Sequence, residues 1–153
     1  IKNKADLLFL PQINPMSNTV KATWQGNMHF TAETKEGVIN LDASEEFGGT
    51  DQGLRSKSLM LTSLAGCTGM DLGSLIKKMR IEVDGITIVV TAKLTDQHPK
   101  IYQSTHIAYH FTGIDLDREK LTKAVNISVD RYCGVIAMFR AFSEVTIEIN
   151  FDY

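Results

Sequence analysis

Two cysteines, Cys67 and Cys133, are the side chains of this 153-residue sequence that could carry redox chemistry. A pair of thiols is the minimum for a cycle in which a peroxide oxidises one thiolate to a sulfenic acid and the second thiol captures it as a disulfide. Each lies among small and apolar residues, in LAGCTGMD (64–71) and YCGVIAMFRAF (132–142). Free cysteines in a reducing compartment are also common as inert packing groups. The pair therefore indicates either thiol chemistry or core packing.

Other kinds of site find little support in the sequence. No glycine-rich phosphate-binding motif follows a strand pattern, and no Gly-x-Ser-x-Gly nucleophile elbow is present. His106 and His110 share one face of a strand pattern, but no third ligand follows at a recognisable spacing. We therefore predict a solvated strand face there and no metal site. The net charge of −2, with acids and bases interspersed, argues against nucleic-acid and anionic membrane partners.

Length and composition are those of one globular domain, with 43% hydrophobic and 22% charged residues. No uninterrupted apolar run reaches the roughly 18 to 20 residues of a membrane span. The apolar piece Leu7–Leu10 is short for a signal peptide and no cleavage pattern follows it. Met16 is a plausible natural start, so we interpret residues 1–15 as an N-terminal extension or leader and 16–153 as a single domain. We expect a cytoplasmic protein.

Hydrophobic periodicity predicts an α+β fold in which neighbouring strands are antiparallel. Asp117 is a suitable N-cap for the second helix. Gly134, directly after Cys133, predicts a break before a short third helix. The predicted elements are strands at 18–25, 28–33 and 39–41, a helix at 56–80, strands at 85–96 and 101–112, two helical segments at 117–142, and a strand at 145–151.

The first helix has apolar residues around nearly its whole circumference, which is typical of a helix buried on all sides. One small sheet cannot cover such a helix. The simplest arrangement is a homodimer in which two of these helices pack between sheets from both chains. Gly66 and Gly69 would then allow the helices to approach closely.

The segment GGTDQGLRSKSLMLTSLAGCTGMDLGSLIKKMR (48–80), followed by VDRYCGVIAMF (129–139), resembles the OsmC/Ohr family of osmotically inducible and organic-hydroperoxide-resistance proteins. The resemblance extends from about Trp24 to the C-terminus. It implies an OsmC-like fold, with antiparallel sheets wrapped around a buried central helix in an intertwined homodimer. It also implies that Cys67 is the peroxidatic thiol and Cys133 the resolving thiol. The implied substrate is a small organic hydroperoxide, and the implied reductant is an external dithiol or lipoylated protein, with no bound cofactor.

The sequence departs from the family pattern where the peroxidatic thiol is usually activated. In peroxidases of the family, a Glu nine or ten residues before the cysteine holds an Arg from the first strands against the thiolate. Those positions are Ser58 and Lys57 here, and Asn27 occupies the region of the expected Arg. Lys57 or Arg55 is then the candidate for the positive charge.

Glu45 or Glu46 is the candidate for orienting that charge. The departure also leaves an alternative function open. The chain could be an OsmC-like dimer with lost or altered peroxidase chemistry, which binds a small apolar ligand at the dimer interface. A third reading is a structural dimeric module with inert cysteines.

Overall fold

The computed structural model describes residues 17–152. The chain divides into two compact units, Ile1–Arg55 and Ser56–Tyr153, which we describe separately. The predicted extension at residues 1–15 lies outside the described residues. The single domain expected for 16–153 stays a prediction.

The first unit contains the predicted antiparallel meander. Strands β1 (Lys21–Gly26), β2 (His29–Glu33) and β3 (Val38–Leu41) form one sheet in that order. The chain then enters a loop that contains a single 3-10 turn, Glu45–Phe47.

Asp42 organises this loop. Its buried carboxylate accepts hydrogen bonds from the hydroxyl and amide of Thr50, at 2.7 and 2.9 Å, and from the amides of Gln52 and Ala43. These donors, the Thr50 hydroxyl above all, hold the pKa of Asp42 well below its usual range. The loop is therefore an ordered structure with its own polar centre.

The second unit contains the long helix, a second sheet and two further helices. Between the last two helices lies a π-helical turn, Ser128–Tyr132. The predicted N-cap is confirmed, because Asp117 Oδ1 accepts a hydrogen bond from Lys120 N at 3.0 Å. The elements are α1 (Ser56–Met79), β4 (Gly85–Leu94), β5 (Tyr102–Thr112), α2 (Arg118–Ile127), α3 (Gly134–Arg140) and β6 (Glu144–Asp152).

The second sheet has the order β4-β5-β6 and is mixed. Strands β4 and β5 form the expected antiparallel hairpin, but β6 pairs with β5 in parallel, from Ser104↔Glu144 to Thr112↔Asp152. The prediction that all neighbouring strands are antiparallel is therefore wrong for β6. The physical reason is the connection, since α2, the π-helical turn and α3 form a crossover that carries the chain back to the start of β5.

The two histidines of β5 lie on the partly exposed face of this sheet and pair with acidic residues of β6. His106 Nε2 is 3.0 Å from a carboxylate oxygen of Glu148, and His110 Nδ1 is 3.2 Å from one of Asp152. The alternate residues of β5, which include Ile107, are buried on the other face with the helices. The histidines thus support the pairing of β6.

Helix α1 buries only one side within the second unit. The buried residues of this helix are Leu64, Thr68, Leu72, Leu75 and Ile76. On the opposite side Met70 is 74% exposed, as expected if one chain cannot cover the helix, and full burial in a homodimer stays a prediction. Gly69 has a packing reason, because a Cβ there would lie 3.2 Å from Ile88 Cδ1, whereas a Cβ at Gly66 would meet nothing within 4 Å.

Helix α1 also has the length and composition of a membrane span. An 18-residue window has a mean hydropathy of 1.3, and no other helix among residues 17–152 meets this test. Central helices of globular proteins pass the same test, so the observation is weak evidence of a span. The expectation that the chain has no membrane span therefore stays a prediction.

Candidate thiol site

The structure brings the two cysteines together with one acidic residue. The sulfurs of Cys67 and Cys133 and a carboxylate oxygen of Asp71 all lie within 4.8 Å of one another. Both thiols are free. Cys67 is half-buried, whereas Cys133 is 3% exposed. A thiol pair with one accessible and one buried member therefore lies beside a carboxylate.

Two elements of secondary structure position these three side chains. Cys67 and Asp71 are four residues apart on α1, so they lie one above the other on the same face. Cys133 is the N-cap of α3, and its sulfur accepts a hydrogen bond from Ile136 N at 3.5 Å. A disulfide of about 2.05 Å between the cysteines would require their side chains to turn toward each other.

A chain of buried hydroxyl groups leads to Asp71. Tyr109 OH lies 2.7 Å from Thr68 Oγ1, Thr68 Oγ1 lies 3.0 Å from Ser128 Oγ, and Ser128 Oγ lies 3.2 Å from Asp71 Oδ2. An ionised carboxylate only accepts, so Ser128 donates to Asp71. Each hydroxyl has one proton, so Thr68 donates to Ser128 and Tyr109 donates to Thr68. The chain therefore has one direction and ends on the carboxylate.

Burial sets the protonation states of two groups at the site. It raises the pKa of the Cys133 thiol to about 11, and the adjacent Cys67 side chain acts in the same direction. It also raises the pKa of Tyr109 to about 12, against the opposing effect of the hydrogen bond to Thr68. At neutral pH, Cys133 is therefore a thiol, and Tyr109 retains the proton that it donates to Thr68.

Sequence reasoning did not assign Asp71, Thr68, Ser128 or Tyr109 to the site. Asp71 had a signal, since it follows Cys67 by four residues in a helix and therefore lies on the same helix face. Ser128 had none, because its position depends on the π-helical turn. That turn is closed by a hydrogen bond from Cys133 N to Ser128 O at 2.9 Å, and such turns often occur at functional sites.

The residues predicted to activate the thiol have other surroundings. Arg55 forms an ion pair with Asp51 and donates to the carbonyl oxygens of Asp42 and Gly53 at 3.0 and 2.9 Å. The guanidinium group of Arg55 therefore binds the loop of the first unit.

Glu45 and Glu46 are exposed in the 3-10 turn of that loop. Lys57 is exposed near the start of α1, ten residues before Cys67, which corresponds to about 15 Å along a helix. Within one chain its ammonium group does not reach the thiol. Roles for these residues, and for Arg55, stay predictions.

The chain belongs to the OsmC-like protein family, whose profile matches residues 49–149. It is 26% identical over 129 residues to the Escherichia coli protein YhfA. This alignment covers 82% of the present chain and 92% of YhfA. The crystal structure of a hypothetical protein from Aquifex aeolicus superimposes with a TM-score of 0.78 at 29% identity, over 89% of this chain and 96% of that one. The family resemblance predicted from the sequence is confirmed.

A further solved structure shows the same fold at lower identity. The organic hydroperoxide resistance protein OhrB of Bacillus subtilis aligns with a TM-score of 0.63 and 21% identity, over 88% of this chain and 98% of that one. The predicted OsmC-like α+β fold is therefore confirmed, apart from the parallel pairing of β6.

Replacing Thr68 with valine should destabilise the second unit. The substitution keeps the shape of the side chain but leaves Tyr109 OH without its acceptor and Ser128 Oγ without its donor. We expect the free energy of unfolding to fall by about 1 to 3 kcal/mol, measured by urea denaturation.

Thr62→Val is the matched control on the same helix. Thr62 is exposed and donates to Ser58 O. We expect its effect to stay within about 0.5 kcal/mol. Equal effects of the two substitutions would show that the buried hydroxyl chain contributes no stability.

Proposed function

We propose that this protein is a thiol peroxidase that reduces small organic hydroperoxides through a cycle of Cys67 and Cys133. The observation that carries the proposal is the grouping of both sulfurs and Asp71 within 4.8 Å, with Cys67 as the accessible member of the thiol pair. Membership of the OsmC-like family and the fold shared with an organic hydroperoxide resistance protein support it.

The first half of the proposed cycle oxidises Cys67. Its sulfur attacks the distal oxygen of the hydroperoxide, so an S–O bond forms and the O–O bond breaks. The alkoxide takes up the proton of the thiol and leaves as an alcohol. Cys67 becomes a sulfenic acid, and the peroxide has accepted two electrons.

The second half forms and then reduces a disulfide. Cys133 attacks the sulfenic sulfur and water leaves, which joins the two cysteines. An external dithiol, such as a lipoylated protein, then restores both thiols by two exchange steps and is itself oxidised to a disulfide. The net reaction converts one hydroperoxide and one dithiol into an alcohol, water and a disulfide. The cycle needs a reducing compartment, which fits the proposed cytoplasmic location.

Asp71 is the residue that we propose to move the protons. Its carboxylate lies near both sulfurs, so it can accept a thiol proton during each attack and return it to the leaving alkoxide or hydroxide. The hydrogen bond from Ser128 holds the carboxylate in place. A carboxylate beside a thiol also disfavours the thiolate by its charge. Proton transfer by Asp71 would speed the oxidation of Cys67, whereas charge repulsion would slow it. The oxidation rate of an Asp71 variant therefore distinguishes the two effects.

The cysteine substitutions should separate the two halves of the cycle. We expect Cys67→Ser to abolish consumption of cumene hydroperoxide with a dithiol reductant. Cys133→Ser should retain one oxidation per chain, visible by mass spectrometry as a sulfenic acid trapped on Cys67, without the intramolecular disulfide. Absence of peroxide consumption by the unsubstituted protein, or full activity of Cys67→Ser, would contradict the proposal.

Asp71→Asn should slow peroxide oxidation of Cys67 by about 100-fold, in the range expected for loss of general acid–base catalysis. The measurement is the single-turnover rate across pH, with Asp96→Asn in an exposed turn as the matched control. We expect the control to react like the unsubstituted protein. Faster oxidation in Asp71→Asn, with an apparent thiol pKa shifted downward, would show that Asp71 acts only by opposing the thiolate.

We also propose that the protein works as a homodimer joined through the exposed side of α1. Met60 and Met70 are large apolar residues exposed on this helix.

Met70→Glu should shift the sedimentation coefficient from that of a dimer toward that of a monomer. Asn126 is an exposed residue of α2, so Asn126→Glu adds the same charge away from the proposed interface, and this variant should remain dimeric. A monomer before substitution, or a dimer unaffected by Met70→Glu, would contradict this interface.

The alternative function, binding of a small apolar ligand, has one observation in its favour. A largely apolar cavity of about 210 Å³ lies in the second unit, and Lys57 and Lys100 flank it. The peroxide assay decides between the functions, because a pure binding protein would consume no hydroperoxide. The lining residues are Lys57, Met60, Leu94, Lys100, Ile101, Tyr102 and Phe142.

A further inference from the structure

The three donor atoms of the thiol site also match the ligand set of a metal ion. Tetrahedral zinc binds thiolate sulfur at about 2.3 Å and carboxylate oxygen at about 2.0 to 2.2 Å, so its ligand atoms are about 3.3 to 3.8 Å apart. The sulfurs of Cys67 and Cys133 and the Asp71 oxygen lie within 4.8 Å of one another, so a shift of each donor atom by about 1 Å toward a common centre would give these separations. We propose that the reduced protein binds one thiophilic divalent cation, best fitted by Zn²⁺, through Cys67, Asp71 and Cys133.

Charge favours a cation at this position. Two thiolates and one carboxylate carry three negative charges when they act as ligands. Within residues 17–152, no Lys, Arg or His side chain forms an ion pair with Asp71. A divalent cation would offset most of the charge and stabilise Cys133 as a thiolate, against the burial that otherwise keeps it protonated.

The groups around the ligands suit a metal site as well. Ser128 donates to Oδ2 of Asp71, and the remaining lone pairs of the carboxylate stay available to a metal ion. Hydrogen bonds through Thr68 and Tyr109 hold Ser128 in position. The amide of Ile136 donates to Cys133 Sγ. Such outer hydrogen bonds fix the orientation of metal ligands. Cys67 is half-buried, so an ion and a fourth ligand, water, can enter from its side.

The donor types indicate the class of ion. Two thiolates favour Zn²⁺ and similar thiophilic ions over Mg²⁺ and Ca²⁺, which prefer oxygen ligands. His106 with Glu148 and His110 with Asp152 offer surface positions where added zinc could bind without any thiolate. A test must therefore report sulfur coordination directly.

The metal and the peroxide would use the same thiols in turn. Oxidation of the metal-bound thiolates removes two of the three ligands. One hydroperoxide and two protons then give an alcohol, water, the disulfide and the free Zn²⁺ ion. The inference uses the thiols of the proposed function but does not depend on its activity.

The test is titration of the reduced protein with Co²⁺, whose bonds to thiolates give a charge-transfer band in the near ultraviolet, followed by displacement with Zn²⁺. We expect one equivalent of Co²⁺ per chain, and loss of the band in Cys67→Ser and in Cys133→Ser. Asp71→Asn should weaken binding at least tenfold, and Asp96→Asn should leave it unchanged. Ser128→Ala, which keeps the carboxylate but removes its donor, should weaken binding less.

Three results would overturn the metal proposal. These are absence of the thiolate band in the reduced protein, equal affinity in Asp71→Asn and Asp96→Asn, and binding that depends on His106 but not on Cys67. Peroxide consumption is measured separately. Turnover without a thiolate band would contradict the metal site alone, and a thiolate band without turnover would contradict the peroxidase alone.

Discussion

The hydrogen-bond chain from Tyr109 through Thr68 and Ser128 to Asp71 is the interaction on which the site depends. It joins β5, α1 and the π-helical turn, and Tyr109, Thr68 and Ser128 are fully buried. A buried hydroxyl without a partner costs about 1 to 3 kcal/mol, so displacing one link leaves the next unsatisfied. The carboxylate is the terminal acceptor that makes the chain complete. Asp71 is therefore fixed beside the thiols by the same contacts that hold these three elements together.

Different environments give the two thiols different chemistry. Cys133 is buried, and its pKa of about 11 keeps it a poor nucleophile toward a peroxide in solution. It can still react with a sulfenic acid on Cys67, whose sulfur lies within 4.8 Å of its own. Cys67 lies at the border between the buried and exposed sides of α1, so small molecules can reach it. This division supports the assignment of Cys67 as the thiol that is oxidised first.

The sequence was sufficient for features set by local pattern. Strands β1 to β5 and helix α1 follow from periodicity, and the cap at Asp117 follows from its position before a helical pattern. The parallel pairing of β6 was missed, since alternation in one strand carries no information on its direction. Ser128 was missed because one i→i+5 hydrogen bond, ending at Cys133 N, determines where its hydroxyl points. The thiol pair was identified from the sequence, where the resemblance assigned the two roles, whereas Asp71 was assigned to the site only by the structure.

The exposed side of α1 connects the proposed assembly to the chemistry. Cys67 borders this side, on which Met70 is 74% exposed and Gly66 has open space above its Cα. A surface that packs against Met70 and Gly66 must also pass close to Cys67, because all three lie within two turns of one helix. Dimerisation through this side would therefore set the size of the opening to the thiol and remove water around it. In that arrangement, the close approach that Gly66 allows would also limit the size of the molecules that reach the sulfur.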